Sequence, residues 1–247
     1  MPDRRPAATA QQQIAWPDPD RRHRLRRLWV AGFVLPLAAF VLLAVTIGSP
    51  PLAALDHSGL QWVHGASGPG ADRAFTWISH LGFHLGVLPF DIAFVLALAA
   101  RRRWREGAFA LLALGGSMAF NSLLKDAFAR PRPGLWEHLI HYPGYSFPSG
   151  HAMATMTLSW VLVLLAWRTR WRRPVLGFMA GFTLLVGISR PYAGVHYPSD
   201  VLAGWAFGTA WAVASYLLVF RQRHPWQGRQ LSGADESARS ETCGEKA

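Results

Sequence analysis

Apolar residues in this chain fall into six blocks, at about 29–47, 77–100, 107–126, 151–167, 174–190 and 200–220, separated by short polar or arginine-rich stretches. A run of roughly 17–25 apolar residues is long enough to cross the hydrocarbon core of a bilayer as a helix. In lipid the backbone must satisfy its own hydrogen bonds, which a helix does alone and an open strand does not. The pattern predicts an all-α fold, a polytopic membrane helical bundle with six transmembrane helices over residues 29–222. Flanking it are tails at 1–28, rich in Pro, Gln, Asp and Arg, and at 223–247, rich in Gly, Ser, Glu and Lys. Neither tail has the apolar content to build a core, so both are predicted to be disordered. The loop at 48–76 carries Asp56, His57, Trp62 and His64, with Trp77 beside it, a mixture suited to the membrane interface. Gly204 and Gly208 form a small-xxx-small pattern on the sixth span, which predicts close helix packing inside the bundle.

The net charge of +11 raises the question of a nucleic-acid partner, and its distribution answers it. Of the 25 Lys and Arg residues, 20 fall before the first span, between spans two and three, between spans four and five, or after span six. All four places lie on the same side of a six-span bundle. The positive-inside rule then puts both termini in the cytoplasm, and no nucleic-acid partner is needed. The remaining cations are Arg73, Lys125, Arg130, Arg132 and Arg190. Positive charge on the outer side is therefore scarce. The first span follows a basic segment as a signal peptide would, but its length and the Gly48-Ser49-Pro50-Pro51 that follows predict an uncleaved anchor. The single cysteine, Cys243, permits no internal disulfide.

Three short segments carry the candidate chemistry. Lys125 ends the third span and Asn121 lies one turn earlier on the same face. Pro131 and Pro133 disfavour helix at Arg130 and Arg132, so the chain is expected to leave the helix near Ala129 and fold Arg132 back towards Lys125. Arg offers a planar fork for phosphate oxygens and Lys a compact point charge. The plainer alternative is a helix-end lysine and a solvated arginine. Pro148-Ser149-Gly150-His151 stands directly before the fourth span, with Ser149 as the expected N-cap and Gly150 allowing close backbone approach. The free N–H groups and dipole at such a helix start favour an anion, with His151 at its edge. An ordinary capped helix with an interfacial histidine is the alternative. In the third segment, Ser189-Arg190 ends span five and His196-x3-Asp200 leads into span six, where Pro198 suits the first turn. Four residues of separation let Asp200 reach one nitrogen of His196, leaving the other free to attack phosphorus. An Arg190–Asp200 structural pair is the alternative there.

Taken together, Lys125-x6-Arg132-Pro133, Pro148-Ser149-Gly150-His151 and Ser189-Arg190-x5-His196-x3-Asp200 resemble the signature of the type 2 phosphatidic acid phosphatase superfamily, which also includes vanadium haloperoxidases and glucose-6-phosphatase. The resemblance spans about 125–200, and no signature position is missing. It implies a membrane phosphatase that uses no metal and no other cofactor for hydrolysis. It implies His196 as nucleophile, Asp200 as its orienting partner, and His151 as the acid for the leaving oxygen and later the base for water. Lys125, Arg132, Ser149, Gly150 and Arg190 would hold the phosphoryl oxygens. The expected partner is a lipid phosphate or diphosphate, within the inner membrane, at an active site facing the periplasm. Undecaprenyl diphosphate stands first, with phosphatidic acid and phosphatidylglycerol phosphate behind it. A lipid phosphotransferase using the same phosphohistidine is an alternative, as is a transporter that binds lipid phosphate without chemistry.

Other polar residues stand outside the signature. His80 and His84 are expected to share a helix face, but no third ligand completes a zinc set. Asp91 lies within the second span and is expected to find a partner in the bundle. His138, His141, Tyr142 and Tyr145 precede the second segment and either line a substrate entrance or sit at the interface without touching substrate.

Overall fold

The computed structural model describes residues 26–136, 139 and 144–220. Every regular element among them is helical: α1 (Arg26–Thr46), α2 (Pro50–His64), α3 (Pro69–Leu81), α4 (Val87–Ala100), α5 (Trp104–Phe128), α6 (Gly150–Ala166), α7 (Arg172–Tyr192) and α8 (Pro198–Val219). Four of these, α1, α5, α7 and α8, are 21, 25, 21 and 22 residues long and apolar enough to cross a membrane. The other two apolar helices, α4 and α6, have 14 and 17 residues. At 1.5 Å per residue, α4 reaches only about two thirds of a hydrocarbon core of about 30 Å. The tails expected to be disordered lie outside the described residues, except that helix α1 already begins at Arg26.

The second expected span, 77–100, is not one helix. It divides into the end of α3, a reversal at 82–86, and α4. Two glycines make the reversal. A Cβ on Gly86 would lie 2.2 Å from the Leu81 carbonyl oxygen, and one on Gly82 would lie 2.6 Å from Val186 Cγ1 on α7. Hydropathy averaged along the run does not register so tight a turn. The break also separates His80, in α3, from His84, in the reversal, so they share no helix face. The loop expected between spans one and two is likewise mostly helix. Pro50 and Pro69 open α2 and α3, where a missing N–H does no harm.

Helices α6, α7 and α8 form the centre, with α5 and α1 packed against them. A Cβ on Gly204 would fall 2.7 Å from the Ser149 carbonyl oxygen, and one on Gly208 2.8 Å from that of Met153. The two glycines thus let α8 lie directly on the start of α6, the packing role their spacing predicts. The larger apolar cluster gathers Phe109, Leu158, Val161, Tyr216 and Phe220 from α5, α6 and α8. A smaller one, around Phe40, Phe147 and Ala203, lies below the segment that precedes α6. In it the fully buried Phe147 meets Phe128 edge-on with ring centroids 4.9 Å apart. This aromatic floor fixes the loop that carries Ser146, Pro148 and Ser149. Some polar side chains inside the bundle are paired across helices, as with Ser117 and Thr157 at 3.1 Å and Ser159 and Thr183 at 2.7 Å. Others are not: the buried Asp91 Oδ1, Trp205 Nε1 and Ser215 Oγ have no hydrogen-bond partner among the described residues.

Candidate active site

Helix α5 stops at Phe128 because Ala129 takes a left-handed conformation, φ 44°, while its N–H still closes on the Lys125 carbonyl at 2.9 Å. The prolines that follow keep the chain out of helix, and it returns towards the end of α5. Arg132 and Lys125 consequently line one cavity of about 340 Å³, together with Gly150, His151, Arg190 and His196. Six of the eight residues expected at the site thus face a single space. Ser149 and Asp200 stand behind it, both fully buried.

Each cation is tethered by main-chain or hydroxyl oxygens. Lys125 Nζ donates to the Tyr145 carbonyl. Arg132 donates to the carbonyls of Val195 at 2.8 Å and Gly144 at 3.1 Å, and its Nη1 lies 3.4 Å from His196 Nε2. Arg190, 1% exposed, donates to the hydroxyl of Ser79 on α3. The acceptors in these tethers are uncharged oxygens.

His196 lies in the loop between α7 and α8 and is 2% exposed. Its two nitrogens face different surroundings. Nδ1 is 3.5 Å from Asp200 Oδ2 and 3.5 Å from Ser146 Oγ, while Nε2 points towards Arg132. Burial, followed by the charges of Arg190, Lys125 and Arg132, holds this imidazole well below the usual histidine range, so it is neutral at ordinary pH. Asp200 is fixed from several directions. Its Oδ2 accepts from Ser146 Oγ and from the Tyr197 N–H at 2.8 Å, and its Oδ1 accepts from Arg130 Nη1 at 2.5 Å.

Arg130 was not among the expected site residues. Its guanidinium joins Asp200 to Asp56, 2.8 Å away on α2, donates to Ser199 Oγ at 2.8 Å and lies 4.0 Å from the centre of the Tyr197 ring. Asp56 also accepts the Ser199 N–H at 2.9 Å, at the start of α8. The buried partner of Asp200 is therefore Arg130, and Arg190 turns to Ser79. The Pro-flanked Arg130-Pro131-Arg132-Pro133 is a signal that a second arginine is held in place. For Asp56 the only signal is a lone acid in a mixed aromatic and polar stretch.

The start of α6 completes the cavity. Ser149 occupies the N-cap position in extended conformation but makes no side-chain cap, and its hydroxyl has no partner among the described residues. Its N–H instead donates to the Asp200 carbonyl at 3.0 Å, tying the two motifs together. A Cβ on Gly150 would fall 2.8 Å from Asn121 Oδ1, so a larger residue here would require the Asn121 side chain to shift. The N–H groups beyond it belong to the first helical turn, which leaves them without intrahelical partners. His151 packs beside Phe83, ring centroids 5.3 Å apart, and near His84 at 6.2 Å. Of the expected entrance residues, Tyr145 is exposed, whereas His138, His141 and Tyr142 lie outside the described residues. Among the described residues, no group of three or more His, Cys, Asp or Glu is placed to hold a metal ion.

Comparison with known proteins identifies the family. Residues 106–224 match the PAP2 superfamily. The chain is 30% identical to phosphatidylglycerophosphatase B of Bacillus subtilis over 174 residues, covering 68% of this chain and 85% of that protein. It is 43% identical to an undecaprenyl-diphosphatase of Sulfolobus acidocaldarius over 65 residues, 26% of this chain and 29% of that protein. The crystal structure of the first transmembrane PAP2 type phosphatidylglycerolphosphate phosphatase from Bacillus subtilis superposes with a TM-score of 0.69 at 26% identity, covering 76% of this chain and 97% of that one. On the strength of the family match, the helical fold and this extent of similarity, the chain belongs to the PAP2 superfamily and is a phosphatase of its membrane branch.

Proposed function

We propose that this phosphatase removes phosphate from a lipid phosphate or diphosphate at the outer face of the inner membrane, through a phosphohistidine on His196. The observation that carries the reading is the division of labour on that imidazole: Nδ1 towards Asp200 and Ser146, Nε2 towards a cavity lined by three tethered cations and His151.

In this mechanism Lys125, Arg132, Arg190 and the N–H groups at the start of α6 hold the phosphoryl oxygens. Ser149, behind that turn, offers its hydroxyl as a further donor. Phosphoryl transfer depends chiefly on positioning and on neutralising charge at those oxygens. The lone pair of His196 Nε2 attacks phosphorus, and the phosphorus–oxygen bond to the leaving group breaks. His151 gives its proton to the departing oxygen. Asp200 keeps the Nδ1 proton of His196 in place and balances the positive charge that grows on the ring. His151, now neutral, takes a proton from water. The resulting hydroxide attacks phosphorus, the phosphorus–nitrogen bond breaks, orthophosphate leaves, and both histidines regain their first states.

Undecaprenyl diphosphate is the leading substrate, followed by phosphatidylglycerol phosphate and phosphatidic acid. The related proteins named above support both a diphosphate and a monophosphate reading. The arginine distribution supports an arrangement with both termini in the cytoplasm and the cavity outside. Phosphate release in detergent with EDTA present, measured across these three lipids and a soluble phosphomonoester, tests the proposal. Release that persists in EDTA and vanishes in His196→Ala supports it, and release that survives His196→Ala sinks it. Recovery of the phosphate on an added acceptor lipid identifies a transferase instead. Orientation is read from Cys243, the chain's single cysteine: a membrane-impermeant maleimide should reach it only after the cells are broken.

A further inference from the structure

The break in the second apolar run places a residue at the cavity that the signature does not include. The segment at 82–86 packs on α7 through Gly82 against Val186, and just before it Ser79 in the last turn of α3 accepts from Arg190 of α7. His84 is carried on this fixed turn. It lines the same cavity as His151 and His196, and its ring centroid is 6.2 Å from that of His151 with the planes 65° apart. His84 therefore stands beside the histidine that serves the leaving group in the proposed mechanism.

From this placement we infer that His84 forms a second anion subsite, which binds the phosphate that leaves when the substrate is a diphosphate. The inference rests on the proposed function and narrows its substrate class. In-line displacement puts the leaving oxygen opposite His196, on the His151 side. If the substrate is a monophosphate, that oxygen belongs to an alcohol and offers an imidazole N–H little to bind. With a diphosphate, the bridging phosphorus–oxygen bond breaks and His151 protonates the bridging oxygen. The departing lipid monophosphate then carries its negative charge next to His84. An N–H donor aimed there forms a charge-assisted hydrogen bond, stronger than one between neutral groups. It also discriminates, because an alcohol cannot replace that contact.

The test compares inorganic diphosphate with orthophosphate, by calorimetric binding to the full chain in detergent, in wild type, His84→Phe and His84→Gln. Phe keeps a ring against Phe83 and His151 but removes the donor, whereas Gln keeps a donor. Wild type should bind diphosphate about tenfold or more tighter than orthophosphate. His84→Phe should erase most of that preference with orthophosphate affinity unchanged, and His84→Gln should retain part of it. A preference untouched in His84→Phe overturns the inference. So does an equal loss for both anions, which would mark a structural role, and so does a wild type with no preference. Phosphate release from polyprenyl diphosphate and polyprenyl monophosphate is followed in parallel. An absence of release by wild type counts against the phosphatase reading alone, since the binding ratio still decides the subsite.

Discussion

Arg130 Nη1 lies 2.5 Å from Asp200 Oδ1, on the opposite carboxylate oxygen from the one that faces His196. One buried arginine thus holds the acid beside His196, the proposed nucleophile, and the same guanidinium grips Asp56 on α2 at 2.8 Å. Asp200 is pinned by its oxygens and His196 by the loop that Arg132 braces. The geometry of the pair is set before any substrate arrives.

Removing Arg130 leaves two buried carboxylates without their cation. Breaking a buried pair from one side typically costs about 3–5 kcal/mol. Arg130→Ala should therefore lower the midpoint of thermal unfolding and also reduce kcat, because Asp200 is no longer held. Arg130→Lys restores the charge but not the fork that reaches both acids, so it should recover stability only in part. Unfolding in detergent, followed by intrinsic fluorescence, checks the first effect, and phosphate release checks the second. Full activity in Arg130→Ala would show that Asp200 orients His196 without this support.

The buried position of His196, among three cations, has a consequence for pH dependence. Burial and positive neighbours both disfavour the charged imidazole, so His196 remains neutral well below pH 6.5, as the proposed nucleophile must be. Taking away a cation relieves part of that pressure and raises its pKa. Arg132→Gln should therefore move the acid limb of the kcat/KM profile to higher pH, in addition to weakening phosphate binding. Wild type and variant share one substrate, whose own ionisation cancels in the comparison. An acid limb that stays in place, or moves to lower pH, would show that Arg132 does not act on His196 through charge.

Much of the site was legible from sequence because its determinants are local. Pro131 and Pro133 forbid the helix from continuing, and the chain turns at Ala129 as expected. The separation of His196 and Asp200 places Asp200 in the first turn of α8, with its carboxylate back towards the loop. Gly204 and Gly208 mark a close helix contact at one-turn spacing. What escaped was long-range or conformational. Asp56 and Arg130 are far apart in the chain, and nothing periodic links an acid in one helix to an arginine in a distant loop. The break at 82–86 lies within an unbroken apolar run, where hydropathy carries no trace of two glycines packed against backbone and against Val186. The same reasoning put Ser149 in a capping role, but its N–H is bound by Asp200 and its side chain caps nothing.

Helix packing sets the shape of the anion cradle, and that can be tested away from the chemistry. A methyl group on Gly204 would meet the Ser149 carbonyl at 2.7 Å and the Met153 nitrogen at 3.1 Å, both backbone atoms at the start of α6. Gly181, in α7, has nothing within 4 Å of such a methyl group. An open glycine in a helix gains about 0.5–1 kcal/mol on replacement by Ala, whereas overpacking typically costs about 1–3 kcal/mol. Gly181→Ala should therefore be neutral or mildly stabilising with full activity. Gly204→Ala should lower both the unfolding midpoint and the rate, because it pushes the turn that carries Gly150 and His151. Equal behaviour of the two variants would separate the α6–α8 contact from the site.

The two histidines should be separable by trapping. In the proposed mechanism His151 serves the leaving oxygen in the first step and water in the second, and His196 forms the bond to phosphorus. An aryl phosphate departs without much help from an acid, so with that substrate the first step survives in His151→Ala. The second step still needs a base, and positioned acid–base assistance is typically worth about 10²–10⁴-fold. His151→Ala incubated with a labelled aryl phosphate and rapidly quenched in alkali should therefore accumulate label on the chain. The linkage should be acid-labile and alkali-stable, as a phosphorus–nitrogen bond is, and should map to the peptide containing His196. Wild type should show less label because it turns over, and His196→Ala should show none. Label retained in His196→Ala, or found on His151 in the wild type, would reverse the assignment of nucleophile and acid that the orientation of Nε2 towards Arg132 supports.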